Sequence, residues 1–555
     1  MNRLWSLIVA SCLLPPSLGA LVYGDSRTDQ VDALFEKWDK PDSPGCALGI
    51  IENGQLVYKR GYGMANLEYD IPISSNSVFR TGSVSKQFTA MSVILAAAKG
   101  KLSLDDDIRN YIPEMRDYGK TVTIRHLIHH TSGIRDYLVL MSLAGKRNED
   151  YYTNEEVMEK LSRLENLNFP PGDEYLYSNS GYWLLSQIIE RATGKTLREW
   201  AKEEIFQPLG MENTHFHDDP RMIVNNRASG YRRHKDGGFE ISMTQLEMVG
   251  DGGVFTNIDD LLKWDRNFDT NTLGGEAVMK EMLTRGELNG GNTQDYAGGL
   301  RLASYRGLDS VGHGGSFVGF RAGMIRFPEE KLSAYCLCNL SEINPTELLS
   351  KVADIFLPEK VKDEQVKDEK VQTVKLTAAA LEKKAGTYWS ARSSRLVDVE
   401  FQEGRLLGRF GGAPYELRPM GEEKFLATRG QTKAEVRFID GRPLTMQVQF
   451  EGQRLFEYEL VTRVSPAPEE LDEYQGIYSC RELDATYEIR FGDEGRLVTK
   501  VRYFPDRTLE PVFRDGFRYD RGNIVFERDT EGQVTGYRLS AGRARNFVFV
   551  RSGSR

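Results

Sequence analysis

Apolar positions at Val31, Leu34, Phe35 and Trp38 recur at the spacing of one helix face, so the first element reads as an amphipathic helix. Two strand-like runs follow, Cys46–Ile51 and Gln55–Gly61, joined by Glu52-Asn53-Gly54. Asn-Gly between apolar runs is a strong hairpin signal, because both residues tolerate the positive φ of a tight two-residue turn. Residues 83–300 carry mostly helical patterns separated by loops. Three closely spaced strands come next, near 310–340, and then a helix opened by Asn344 and Pro345, a cap followed by proline at the first helical position. Leu348, Leu349, Val352 and Phe356 mark the face it buries. These patterns predict an antiparallel sheet built from both ends of the segment, flanked by terminal helices, with a helical insertion between.

Residues 359–375 break the pattern: Val361-Lys362-Asp363-Glu364 is followed by Val366-Lys367-Asp368-Glu369, a charged linker with nothing to pack a core. The linker leads to the expectation that residues 24–358 fold alone. Beyond it lie short alternating strands, and they repeat. Leu381, Gly386, Tyr388, Phe401 and Leu417 are echoed by Leu471, Gly476, Tyr478, Phe491 and Leu509, an offset of 90 that drifts to 92. A duplicated all-β domain with small loop insertions shows this pattern, and closing each copy into a small antiparallel barrel hides its edges. The expected organisation is a leader at 1–20, a first domain at 24–358, the linker, and barrels at 376–462 and 463–553.

A chain of 555 residues with 40% hydrophobic and 10% aromatic residues is too long for one core and can fill several. Its net charge of −9, with both signs interspersed, argues against a nucleic-acid partner. Met1-Asn2-Arg3 and the apolar run Leu4–Ala10 read as a secretory signal, which makes the protein secreted or periplasmic; the competing reading is a lipobox, Val9-Ala10-Ser11-Cys12, with a lipid anchor at Cys12. The remaining cysteines, Cys46, Cys336, Cys338 and Cys480, read as buried free thiols, since Cys-x-Cys without further ligands nearby is no zinc pattern. The histidines likewise make no ligand set, and neither a metal nor a cofactor is expected; His129-His130 reads as scaffold.

The chemistry concentrates in three places. Ser83-Val84-Ser85-Lys86 leads into the apolar run Phe88–Ala98, so hydroxyl and amine share one helix face at i,i+3. A lysine can serve as base only if burial or a neighbouring positive field lowers its pKa, and the apolar turns that follow make such burial credible. Tyr177-Ser178-Asn179 lies in a loop just before a helix, where the phenol can relay a proton and the carboxamide can hold a substrate carbonyl. His313-Gly314-Gly315-Ser316 opens a strand whose glycines admit close backbone approach.

In this order, Ser-x-x-Lys, Tyr-x-Asn and His-x-Gly make the chain resemble the serine β-lactamase and penicillin-binding-protein superfamily, on the branch of class C β-lactamases, D-aminopeptidases, DD-carboxypeptidases and family VIII esterases. Thr123–Ile134, Pro208–Met211 and Gly252–Thr256 also match, and the resemblance covers about residues 24–358. It implies an α/β (α+β) transpeptidase-like domain with an antiparallel sheet and a helical subdomain. It further implies Ser83 as acylated nucleophile, Lys86 and Tyr177 as acid/base partners, Asn179, His313 and Gly315 as substrate-binding residues, and an oxyanion hole at the amides of Ser83 and Ser316. His313 stands where class C β-lactamases carry lysine, and a neutral ring does not attract a substrate carboxylate as that charge does. A domain of this kind followed by two barrels looks like the bacterial D-aminopeptidases, in which the barrels shape the entrance. The resulting expectation is a cofactor-free, secreted serine hydrolase acting on small peptides or amides with D-residues, including peptidoglycan-derived ones. The alternatives are an esterase, a weak β-lactamase, or a penicillin- or cell-wall-binding surface protein with a vestigial site.

Overall fold

Asn53 and Gly54, at φ 54° and 72°, turn the chain between strands β1 (Cys46–Glu52) and β2 (Gln55–Tyr62) as the Asn-Gly signal requires. They belong to a computed structural model that describes residues 26–147, 149–358, 373–429, 432–520 and 522–553. The leader, Cys12 and most of the 359–375 segment lie outside the described residues.

The hairpin joins four strands from the other end of the first domain: β3 (Arg301–Tyr305), β4 (Leu308–Phe317), β5 (Phe320–Phe327) and β6 (Leu332–Cys338). The antiparallel sheet runs β3-β4-β5-β6-β1-β2, so the two ends of the segment meet where β1 pairs with β6. Strand periodicity sends alternate residues to opposite cores. Cys46, Leu48 and Ile50 face a cluster with Val31 and Phe35 of helix α1 (Ser26–Phe35), while Ala47 and Ile51 face the helical subdomain. The closing helix, Pro345–Phe356, packs on the first of these faces through Leu348, Leu349, Val352 and Phe356, capped by Asn344.

The same register corrects the cysteine expectation. Cys46 lies directly opposite Cys338 across β1 and β6, and the two form a disulfide. Cys336 and Cys480 are the free, buried thiols. Strand alternation placed Cys336 and Cys338 on one face, but only the pairing of distant strands brings Cys46 onto it. The three sulfurs lie within 4.8 Å of one another, yet two are spent in the disulfide and offer no thiolate to a metal.

Both repeats close as antiparallel barrels of eight strands, one from Gly386 to Leu460 and one from Gly476 to Arg551. The first has a core of its own, with Tyr388, Phe425, Val436 and Phe438. The second does not. One apolar cluster runs unbroken from Leu140 and Leu143 of the helical subdomain into Tyr487 and Phe549 of that barrel. Buried polar contacts stitch the same junction: Arg135 to Glu482 at 2.5 Å, Arg545 to Glu174 at 3.0 Å, and the Tyr487 hydroxyl to the Leu143 carbonyl at 2.8 Å. Removing the second barrel would expose core and strand buried charges, which weighs against the expectation that residues 24–358 fold alone.

Candidate active site

Strand Phe79–Arg80, held against Val254–Thr256, delivers the chain to a tight turn at Gly82–Ser85 that leads straight into helix α2 (Lys86–Ala98). Ser85 ties the turn down: its hydroxyl meets Thr81 Oγ1 at 3.0 Å and accepts from the Val254 amide at 3.0 Å. Strand β4 passes so close that a Cβ on Gly315 would sit 1.9 Å from the Thr81 carbonyl oxygen, which explains the glycine there. The approach brings the backbone of Ser316 beside the Ser83 turn, as two amides converging on one oxyanion require.

Ser83 is half-buried while Lys86, one turn on, is wholly buried. Lys86 Nζ lies 3.3 Å from Ser83 Oγ and donates to Asn179 Oδ1 at 2.9 Å and to the Asp251 carbonyl at 2.5 Å. Burial lowers its pKa to about 7; Asp251 and Asp136 oppose the shift and Arg543 adds to it. The amine can then exist as free base near neutral pH, with a lone pair for the serine proton. The Tyr177 ring lies 4.8 Å from Lys86 Nζ, and its hydroxyl is buried beside Ser83. Burial raises the phenol's pKa, opposed by the Ser83 hydroxyl and the Arg543 charge, so Tyr177 stays protonated and able to donate.

Asn179 begins helix α3 (Asn179–Thr193), and its amide donates to the Asp136 carboxylate at 2.7 Å. Asp136, fully buried, also caps the helix Tyr137–Leu143 and receives Arg543 Nε at 3.0 Å. Arg543 belongs to the final hairpin of the second barrel, between strands Val534–Ala541 and Ala544–Arg551. A residue of the barrel thus completes a contact that holds Asn179 in place.

His313 is buried with both ring nitrogens engaged. Nδ1 lies 2.6 Å from the Gly314 carbonyl, which can only accept, so Nε2 accepts from the Tyr296 hydroxyl at 3.0 Å. Burial first, and the Lys86 charge second, bring its pKa down to about 3, which leaves the ring neutral. His130 packs in tilted contact with Tyr177 at 4.1 Å and Tyr296 at 4.6 Å, ring centre to ring centre, and its Nδ1 accepts from the Ser178 amide.

Ser83 opens on two recesses. The smaller, about 40 Å³, is lined by Arg80, Tyr137, Asn179, Asp251 and Phe317. The larger, a cleft of about 770 Å³, is lined by Tyr177, His313, Ser316, Arg301, Arg321 and Arg543 among others. Among the described residues, Asp251 is the one carboxylate lining either recess. The structure brings together Ser83, Lys86, Tyr177, Asn179, His313, Gly315 and Ser316. Asp136, Asp251, Tyr296 and Arg543 escaped sequence reading: Asp251 adjoins the Gly252–Thr256 match, whereas Arg543 carries no local signal.

A β-lactamase family model matches residues 31–353. Over 528 residues the chain is 26% identical to a D-aminopeptidase of Gluconobacter oxydans, spanning 92% of this chain and 96% of that protein. A Brucella anthropi D-aminopeptidase is 26% identical over 531 residues, 92% of this chain and 95% of its own. Among solved structures, the octameric penicillin-binding protein homologue from Pyrococcus abyssi superposes with a TM-score of 0.53 at 24% identity, covering 77% of this chain and 99% of that one. The D-amino acid amidase from Ochrobactrum anthropi gives 0.51 at 20% identity, covering 60% and 99%.

Proposed function

The chain belongs to the β-lactamase family, and on that premise we propose that it is a serine hydrolase releasing D-residues from the amino end of small peptides or amides. The observation that carries this reading is Ser83 set between a lysine poised near neutrality and a small recess in which Asp251, beside Arg80, is the only carboxylate among the described residues. A recess of that size fits a short side chain and an ammonium group, and the relatives that match nearly the whole chain are D-aminopeptidases.

Neutral Lys86 takes the proton of Ser83 Oγ as the oxygen attacks the scissile carbonyl, and the amides of Ser83 and Ser316 hold the oxyanion. Tyr177 gives its proton to the leaving nitrogen as the C–N bond breaks and is reprotonated from Lys86. Water then attacks the acyl-enzyme, its proton returns through the same base to Ser83 Oγ, and the free D-amino acid departs. Asn179, fixed by Lys86 and Asp136, orients the substrate carbonyl group.

We assign the protein to a secreted or periplasmic location. A disulfide between the two ends of the first domain supports an oxidising compartment, and the apolar leader supports export. A panel of D-alanyl and L-alanyl p-nitroanilides, an N-acetylated D-Ala-D-Ala peptide, a p-nitrophenyl ester and nitrocefin, ranked by kcat/KM, tests the activity. The D-alanyl anilide should lead. Nitrocefin or the blocked peptide in first place would refute the reading.

A further inference from the structure

The larger cleft beside Ser83 carries three guanidinium groups, Arg301, Arg321 and Arg543, and no acidic residue lines it. Neither Arg301 nor Arg321 has a carboxylate within ion-pair distance among the described residues. Arg301 reaches the Tyr175 hydroxyl at 3.4 Å, and Arg321 donates to the carbonyls of Val318 and Phe320 at 2.9 and 2.7 Å. Arg543 spends Nε on Asp136 and is one-third exposed. Ser316 and Thr346 line the same space. His313 adds no charge, since both of its nitrogens are bonded within the fold.

The one carboxylate that lines either recess among the described residues, Asp251, is thus on the acyl side, where Arg80 accompanies it, while the cleft carries three guanidinium groups and no acid. An acyl group whose amine lies toward Asp251 places its leaving group in the cleft. We propose that this cleft is a carboxylate-binding leaving-group subsite, so that favoured substrates are short peptides, chiefly dipeptides, with a free carboxylate on the residue released. The inference rests on the aminopeptidase reading for the acyl half alone. Guanidinium groups bind carboxylates through charge-assisted, often bidentate hydrogen bonds.

The test uses two matched pairs on the full-length protein. D-Alanyl-glycine and D-alanyl-glycinamide differ only in the carboxylate, as do 3-acetoxybenzoate and 3-acetoxybenzamide, aryl esters that need no D-residue amine. In each pair the acid should be favoured in kcat/KM by about tenfold or more, the scale of one charge-assisted hydrogen bond. The preference should fall several-fold in Arg301→Gln and Arg321→Gln and weaken with added salt. Each ratio is taken within one variant, so partial misfolding does not affect it. A preference in either pair that the arginine variants erase supports the subsite. Equal rates in both pairs, or a preference that survives both variants, overturns it. Turnover of the esters without turnover of the D-alanyl pair refutes the aminopeptidase reading while still deciding the carboxylate question.

Discussion

Glu482 of the second barrel offers the sharpest probe of whether that barrel is part of the catalytic unit. Its carboxylate meets Arg135 at 2.5 Å, with the two side chains 7% and 1% exposed, and also accepts the Glu165 amide at 2.9 Å. Changing Glu482 to Gln keeps the shape and leaves a buried guanidinium without its counter-charge. Breaking a buried pair from one side costs about 3–5 kcal/mol, far above the ~0–1 kcal/mol of an exposed pair. For a protein of this size the melting temperature should fall on the order of 5 °C. Because Arg135 borders Asp136, which holds the Asn179 amide, activity should be lost in the same transition as the fold. Replacing both residues, Arg135→Met with Glu482→Leu, should recover much of the loss, since no charge is then unpaired. The assays are calorimetry and residual hydrolysis after graded heating. A Glu482→Gln protein that melts in two separate steps, with activity surviving the first, would refute the claim of one shared core.

The remaining expectations are more local. Because Lys86 must be unprotonated to accept the serine proton, kcat/KM should rise with pH through an acid limb near 7; Arg543→Gln removes a charge that holds the amine down, so the limb should move to higher pH, and an unmoved limb would exclude Arg543 from that role. Gly315→Ala places a Cβ 1.9 Å from a backbone oxygen that cannot swing away, so turnover should fall at least about a hundredfold; near-normal kinetics would show that β4 does not press on the Ser83 turn. The Cys46–Cys338 disulfide closes a loop of 292 residues, so Cys46→Ser should lower stability by roughly 2–5 kcal/mol in unfolding titrations; Cys336→Ser should keep the cross-link, and equal losses in both would contradict the pairing.

What the chain discloses before folding is local. Asn53-Gly54 announces its hairpin because the turn lies in two adjacent residues, and Ser83 with Lys86 announces itself because three residues of helix suffice to align them. The barrels are legible because each strand's alternation repeats 90 residues later. Strand β3 is not: Arg301–Tyr305 is an edge strand, mostly exposed, with no apolar alternation to mark it. The pairing of Cys46 with Cys338 depends on the register of strands nearly 300 residues apart, and no periodicity reports that. Arg543 is the extreme case. It sits on an ordinary-looking hairpin turn, and its place beside Asp136 follows from how a whole barrel docks. The docking also explains why the charged segment at 359–375 misleads: it separates the first domain from a barrel with its own core, while the second barrel returns to share the first domain's core.

The most direct measurement is the site of acylation. Full-length protein mixed with a slowly deacylating aryl ester of a D-amino acid, quenched in acid and digested, should yield one modified peptide carrying the acyl group on Ser83. Ser83→Ala should show neither adduct nor turnover, and Lys86→Ala should lose turnover nearly as completely because the pair acts as a unit. An adduct on another serine, or hydrolysis that survives Ser83→Ala, would contradict the assignment of this site.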